Sequence, residues 1–102
     1  MNEAEQLLRT VEQLCDQWND CTDADVDVQR SGSALTLMFA NRSQIVVNLQ
    51  KPLHEVWLAT RAGGFHYRWE DGRWCDTRQR TDFWQQLQHC ASVQAGMALP
   101  VG

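Results

Sequence analysis

Long apolar runs and an excess of cationic residues are both missing from this sequence of 102 residues. No segment approaches the ~20 consecutive apolar residues of a membrane-spanning helix. Nine lysines and arginines stand against 13 aspartates and glutamates, which gives a net charge of −4 with histidine neutral. Such an acidic chain repels nucleic acids and anionic membranes and attracts cations or basic protein surfaces. We therefore expect no nucleic-acid partner and no membrane association.

Closely paired cysteines are absent as well. The cysteines Cys15, Cys21, Cys75 and Cys90 form no CxxC motif, whereas zinc sites usually draw ligands from close pairs. The N-terminus, MNEAEQLL, lacks a basic region followed by an apolar block, so we expect no secretory signal and a cytoplasmic location. Free thiols are expected there, although a Cys15–Cys21 pair stays open. A catalytic thiol is disfavoured, because only His66 is a candidate base for Cys75.

Hydrophobic periodicity predicts a helix near each end of the chain. Apolar residues recur at intervals of three and four between Glu3 and Asp20, the spacing of a helix with one buried face. A second pattern of this kind begins at Phe83, with Asp82 as its N-cap and Gly96 as its C-terminal stop.

Between the helices the pattern changes to about six short alternating segments separated by turn residues. The strongest turn signal is Asp71-Gly72, a two-residue hairpin loop that places Trp69 opposite Trp74. Successive short turns imply an antiparallel meander, and two terminal helices can cover only one of its faces. The sequence therefore predicts a single α+β domain over 1–102, a two-layer α/β sandwich of order α-β-β-β-β-β-β-α. The predicted core includes the tryptophans Trp18, Trp69, Trp74 and Trp84.

The uncovered face of the predicted sheet raises a question about Trp57. In the stretch PLHEVWLATRAGGFHY, residues 52–67, Val56 and Leu58 alternate with Glu55 and Trp57. Trp57 thus falls in phase with a glutamate, on the face without helices. A tryptophan buries ~150–250 Å² when covered, worth several kcal/mol at ~25 cal/mol per Å². Trp57 either belongs to a second small core or anchors a partner. We favour the anchor, since no third helix is predicted.

The stretch from Asn48 to Tyr67, NLQKPLHEVWLATRAGGFHY, closely resembles the central motif of the frataxin family. The resemblance continues in the DVDV segment at 25–28, in the strand with Trp74 and in the FWQQL start of the second helix, and so covers essentially the whole chain. It implies a helix–sheet–helix sandwich with both helices on one face. It also implies a small acidic accessory protein of iron–sulfur cluster assembly, which is not an enzyme.

The resemblance further implies partners and a docking surface. The expected partners are the cysteine desulfurase and the iron–sulfur scaffold protein, and whether cluster formation is accelerated or slowed stays open. The predicted partner-binding residues are Asn48, Gln50, Trp57 and His66. His66 could join the interface or supply an imidazole to a metal. A monomer is expected, and iron-driven self-association stays open.

Weak iron binding, as Fe²⁺ or Fe³⁺, is also implied, by acids on the first helix and first strand. The predicted metal ligands are Glu12, Asp16, Asp20, Asp23, Asp25 and Asp27. The alternative is a solvated acidic surface. However, the helix dipole disfavours Asp16 and Asp20 near the helix C-terminus by ~0.3–1 kcal/mol each, which a cation would relieve. Physical chemistry alone selects a hard, oxygen-preferring cation, so other divalent cations stay possible.

Three residues predict weaker metal binding than is usual in the family. Gln13 and Gln17 stand where bacterial members often carry acids, and Arg9 lies on the same helix face. An iron-oxidising or iron-storage protein using the same acids is the alternative function. It is disfavoured because oxidation needs closely held ligands, often two carboxylates with histidine, and these acids are predicted to be spread along an exposed edge.

Overall fold

The computed structural model of the protein describes residues 2–78 and 81–99. Helix α1 (Asn2–Cys21) precedes the strands and helix α2 (Phe83–Ala95) follows them. The strands are β1 (Asp27–Ser31), β2 (Ala34–Met38), β3 (Gln44–Gln50), β4 (Glu55–Thr60), β5 (Gly63–Glu70) and β6 (Arg73–Asp76), with a short 3₁₀ helix (Lys51–Leu53) before β4. They form one antiparallel sheet in the order β1-β2-β3-β4-β5-β6. Neither helix in these ranges is long and apolar enough to cross a bilayer.

The hydrophobic core lies between the sheet and the two helices, which both pack on the same face. Leu8 and Val11 of α1 and Leu87 of α2 are fully buried, together with Val47 of β3 and Leu58 of β4. Because side chains alternate between the two faces of a strand, the residues between these buried positions point away from the helices. The predicted two-layer sandwich with one uncovered face is therefore confirmed.

The β5–β6 hairpin has the predicted geometry. Asp71 and Gly72 have φ angles of 52° and 81°, and positive φ at both central residues is what a type I′ turn requires. The register places Trp69 directly opposite Trp74, and their ring centroids are 5.3 Å apart.

The predicted burial of the tryptophans holds only in part. Trp18 and Trp74 are buried in the core, and Trp84 is half-buried against it. Trp69 is 44% exposed, so its assignment to the core is wrong. Periodicity gives the face on which a side chain lies, but it does not show whether a helix reaches that part of the strand. Near Trp69 an open hollow separates the hairpin from α1.

Helix α2 begins and ends as predicted, and a buried glutamine fastens its last turn to the sheet. Asp82 caps the first turn by accepting backbone hydrogen bonds, and Gly96 ends the helix with a φ of 72°. Gln94 accepts a hydrogen bond from the backbone N–H of Arg61 (3.0 Å) and donates one to the carbonyl oxygen of Gln44 (3.2 Å). Its side chain therefore joins α2 to the turn after β4 and to the start of β3.

We expect Gln94→Ala to lower the free energy of unfolding by about 2 kcal/mol, because two partly buried backbone groups lose their partner. Urea unfolding followed by circular dichroism measures the change. Gln85→Ala, at an exposed position of the same helix, is the matched control and should alter stability by less than about 0.5 kcal/mol. Equal stability of the two variants would contradict the role given to Gln94.

Candidate functional site

The predicted partner-binding residues come together on the uncovered face of the sheet. Trp57 in β4 is directly opposite Asn48 in β3 and His66 in β5. In the neighbouring row, Glu55 lies between Gln50 and Arg68. Side chains of cross-strand partners stand about 5 Å apart, so the two rows form one continuous patch. We call this patch the Trp57 face: Asn48, Gln50, Glu55, Trp57, His66 and Arg68.

A buried carboxylate holds Trp57 in place. Glu55 is only 7% exposed, and its Oε1 accepts a hydrogen bond of 2.9 Å from the indole Nε1 of Trp57. Its Oε2 accepts one of 3.2 Å from Nε of Arg68. The imidazole of His66 stacks on the indole, with centroids 4.3 Å apart and planes within 8° of parallel. Alternation along β4 predicted a solvent-exposed Glu55, and its burial shows that this expectation was wrong. The hydrogen bond between Glu55 and Trp57 explains why a tryptophan lies on the same face.

The surroundings of Glu55 keep it ionised. Its pKa is lowered from the ordinary value of 4.5, chiefly by the hydrogen bond from Trp57 and further by Arg68 and the nearby His66, against the opposing effect of burial. At neutral pH the carboxylate therefore satisfies the one polar atom of the indole. The half-buried ring therefore exposes apolar surface, and its one N–H group already has a hydrogen-bond acceptor in Glu55.

The predicted metal ligands follow the end of α1 and the entry to β1. Asn19 joins these two segments, because its Nδ2 donates to the carbonyl oxygen of Val26 (2.9 Å) and its Oδ1 accepts from the Val26 N–H (2.7 Å). Asp25 lies inside the connecting turn, with a φ of 51°. We call the resulting surface the acidic ridge: Glu12, Asp16, Asp20, Asp23, Asp25 and Asp27. The sequence analysis did not identify Asn19, because no sequence pattern marks a side chain that hydrogen-bonds the backbone just before the following strand.

The acidic ridge divides into one neutralised end and a longer unpaired part. Nη1 of Arg30 lies 3.6 Å from Oε1 of Glu12, and its Nη2 lies 2.7 Å from Oε2 of the neighbouring Glu5. Within the part of the chain that the structure describes, the side chains of the ridge aspartates have neither an ion-pair nor a hydrogen-bond partner. Unpaired carboxylates along one edge attract cations.

The ridge is not a ready-made cage for a metal ion. Among residues 2–78 and 81–99, no three histidine, cysteine, aspartate or glutamate side chains are close enough together to hold one. Exposed carboxylate oxygens without a fixed geometry suit hard cations and bind them loosely. The assignment of the metal ligands therefore stays a prediction, and the chemistry that the ridge supports is weak cation binding.

All four cysteines are free, as expected, and only Cys21 is exposed. Burial raises the pKa of Cys15 to about 12, and the charges of Asp16 and Glu12 add to the increase. A thiol that stays protonated is a poor nucleophile and a poor metal ligand.

The fold matches that of known frataxins. Residues 1–97 match the family model described as a frataxin-like domain, and the chain belongs to that family. A frataxin from Psychromonas ingrahamii has a similar structure, with a TM-score of 0.77 and 36% identity over 96% of this chain and 93% of that one. A trimeric yeast frataxin from Saccharomyces cerevisiae, complexed with ferrous iron, has a TM-score of 0.68 and 26% identity over 92% and 81% of the respective chains.

Bacterial relatives are more similar in sequence. The "Iron-sulfur cluster assembly protein CyaY" of Paracidovorax citrulli is 58% identical over 99 residues, which cover 97% of this chain and 90% of that protein. The protein of the same name from Delftia acidovorans is 58% identical over 98 residues, 94% of this chain and 88% of its own. Each alignment spans nearly the full length of this chain and of the relative.

We expect Glu55→Gln to lower the free energy of unfolding at pH 7 by about 1 kcal/mol, because the amide can still accept from Trp57 but loses the attraction of Arg68. Since folding lowers the pKa of Glu55, its contribution is fully present above the unfolded value near 4.5 and is lost as pH falls through the folded value. The stability difference between wild type and variant should therefore shrink from about pH 6 to about pH 3.

Urea unfolding of both proteins at a series of pH values measures this difference. Glu3→Gln is the control, because the carboxylate of Glu3 is exposed and should contribute little to stability. A difference between wild type and Glu55→Gln that stays constant with pH would contradict an ionised Glu55.

Proposed function

We propose that the protein is a non-catalytic, cytoplasmic accessory protein of iron–sulfur cluster assembly. In this role it docks on the cysteine desulfurase and the scaffold protein and binds iron weakly. The observation that carries the proposal is the Trp57 face, where a tryptophan is held in a defined orientation on the side of the sheet that the helices leave uncovered. Membership of the frataxin family and the names of its bacterial relatives support it.

The Trp57 face suits a partner because its central side chain is ordered before docking. Tryptophan is enriched among the residues that dominate binding energy at interface centres. The hydrogen bond to Glu55 and the stack on His66 restrict the indole, so less conformational entropy is lost when a partner covers it. The acidic ridge adds long-range attraction to a basic partner surface, which raises the rate of association more than the affinity.

Weak iron binding is assigned to the aspartates of the acidic ridge. Glu12 contributes less, because a cation at this position has to compete with Arg30 for its carboxylate. Iron as the cation is supported by the ferrous complex of the yeast relative. Oxygen ligands in an open arrangement also accept other hard divalent cations, so manganese or calcium should compete with iron.

An iron-oxidising or iron-storage role is less well supported. Oxidation of iron by oxygen requires metal ions held at close range by several ligands, as in carboxylate and histidine sites of helical bundles. The ridge aspartates are exposed and lie along an edge. No observation on the described residues favours this second function.

We expect Trp57→Ala to weaken binding to the cysteine desulfurase by about 30-fold, mainly through faster dissociation, as for an interface anchor. The double change Asp16→Asn and Asp20→Asn should instead slow association and flatten its dependence on salt between about 0.05 M and about 0.3 M. Surface plasmon resonance at both salt concentrations separates the two rate constants.

The controls for the docking experiment are Val93→Ala, an exposed apolar position on α2, and Asp71→Asn, an acid outside the ridge. Both should bind like the wild type. If Trp57→Ala binds normally but melts at a lower temperature, Trp57 is a packing residue and the docking surface lies elsewhere.

Anaerobic calorimetric titration with Fe²⁺ should give weaker binding for the Asp16→Asn and Asp20→Asn double variant than for the wild type, because two of the unpaired carboxylates are removed. The single change Asp71→Asn is the control for loss of charge elsewhere. Equal affinity of the double variant and the wild type would remove the ridge from the proposal. Oxygen consumption with ferrous iron should barely exceed that of buffer, and rapid consumption would favour the iron-oxidising function instead.

A further inference from the structure

A second surface, on the helix side of the sheet, carries aromatic residues that the proposed function does not use. Two adjoining open hollows of about 360 and 450 Å³ lie between the start of α1 and the β5–β6 hairpin. Both hollows are lined by Glu3, Trp69 and Trp74, while Trp84 lines the first and Leu53 the second. We call this surface the aromatic groove: Glu3, Leu53, Trp69, Trp74 and Trp84.

The aromatic groove leaves large apolar side chains in water. Leu53 is 53% exposed and Trp69 is 44% exposed. Trp74 is only 4% exposed, and its indole meets that of Trp69 at 59°, so Trp69 supplies the most accessible indole surface of the groove. Exposed apolar surface that is grouped in a hollow and edged by polar residues marks an interaction site more often than scattered apolar residues do.

One acid that lines the aromatic groove has no partner in the part of the chain that the structure describes. Glu3 lies in the first turn of α1 and has no hydrogen-bond or ion-pair partner among the described residues. The next acid of the same turn, Glu5, is held by Arg30 at 2.7 Å and by Lys51 at 3.8 Å. Glu3 is therefore the acid of this turn that remains available to an external cation.

The two arginines that line the hollows have acidic neighbours of their own. Nε of Arg68 lies 3.2 Å from Oε2 of Glu55. Arg73 stands directly opposite Glu70 in the hairpin register, a position in which opposite charges attract. Both arginines line the same hollows as Glu3, but neither forms an ion pair with it among the described residues. The groove therefore combines an exposed indole with one carboxylate that has no partner there.

We propose that the aromatic groove binds an arginine side chain, flanked by apolar residues, on a partner polypeptide. A guanidinium stacks on indole faces and forms two-pronged hydrogen bonds with a carboxylate, which matches the exposed indole of Trp69 and the carboxylate of Glu3. The apolar neighbours of the arginine would cover Leu53. A polypeptide fits better than a small cation, because the hollows extend from the hairpin to the 3₁₀ helix and need more than one side chain to fill them.

The net charge of −4 draws basic segments toward the protein. The aromatic groove also opens on the opposite side of the sheet from Trp57, because Trp69 falls in phase with Tyr67 of the core and not with His66. Arg68 is the one described residue that lines the second hollow and also belongs to the Trp57 face, so a segment bound in the groove leaves Trp57 and His66 accessible. This inference therefore does not depend on the proposed docking at Trp57.

The test is an NMR titration of the indole N–H signals with the peptide acetyl-Leu-Arg-Leu-amide. The signals of Trp69 and Trp74 should shift on binding, while those of Trp18 and Trp57 stay in place. The matched peptide acetyl-Leu-citrulline-Leu-amide has the same shape without the charge. We expect it to bind at least about fivefold more weakly, since the cation–π and carboxylate contacts are lost.

Two variants separate the local carboxylate from the general charge of the protein. Glu3→Gln should weaken binding of the arginine peptide about fivefold. Gln29→Glu, which adds a negative charge at an exposed position of β1, on the opposite edge of the sheet, should leave binding unchanged. Trp69→Ala should abolish the shifts at Trp74 while the dispersion of the remaining spectrum reports an intact fold. The proposal is overturned if the citrulline peptide binds equally well, if Gln29→Glu strengthens binding as much as Glu3→Gln weakens it, or if only Trp57 shifts.

Discussion

Both helices pack on the same face of the sheet, and the arrangement of the other face depends on this constraint. Because residues alternate along β4, burying Val56 and Leu58 under the helices necessarily turns Glu55 and Trp57 to the other side. A large apolar ring on an uncovered face needs support from its own neighbours. Here a carboxylate is taken out of water to supply it, and Arg68 balances the charge that is buried in the process.

The elements of the fold were predictable because local chemistry decides them. Positive φ at Asp71-Gly72 and the cap at Asp82 depend only on residues a few positions away. Burial depends on how far neighbouring elements reach, and periodicity carries no information about that. Trp69 was therefore placed on the correct face but wrongly in the core, and Glu55 was placed on the correct face but wrongly in water.

The sequence indicated which residues share the uncovered face, but not which charged side chains form ion pairs. Cross-strand register brings Asn48, Trp57 and His66 into one row, as the alternation of their strands and the family motif had suggested. The ion pair of Arg30 with Glu12 joins two residues far apart in the sequence and neutralises one end of the acidic ridge. Contacts of this range depend on how β1 lies beside α1, which no local pattern in the sequence specifies.

The two surfaces of the proposed function differ in how far folding depends on their charges. Glu55 is bound to Trp57 and Arg68, so its charge is part of the structure, and removing it loses the attraction of Arg68. The side chains of the ridge aspartates make no such contacts within the described chain. Their mutual repulsion destabilises the fold, and no internal contact offsets it. A bound cation would relieve that repulsion without displacing any internal partner. The carboxylates that folding does not use are therefore the ones best suited to binding a metal ion.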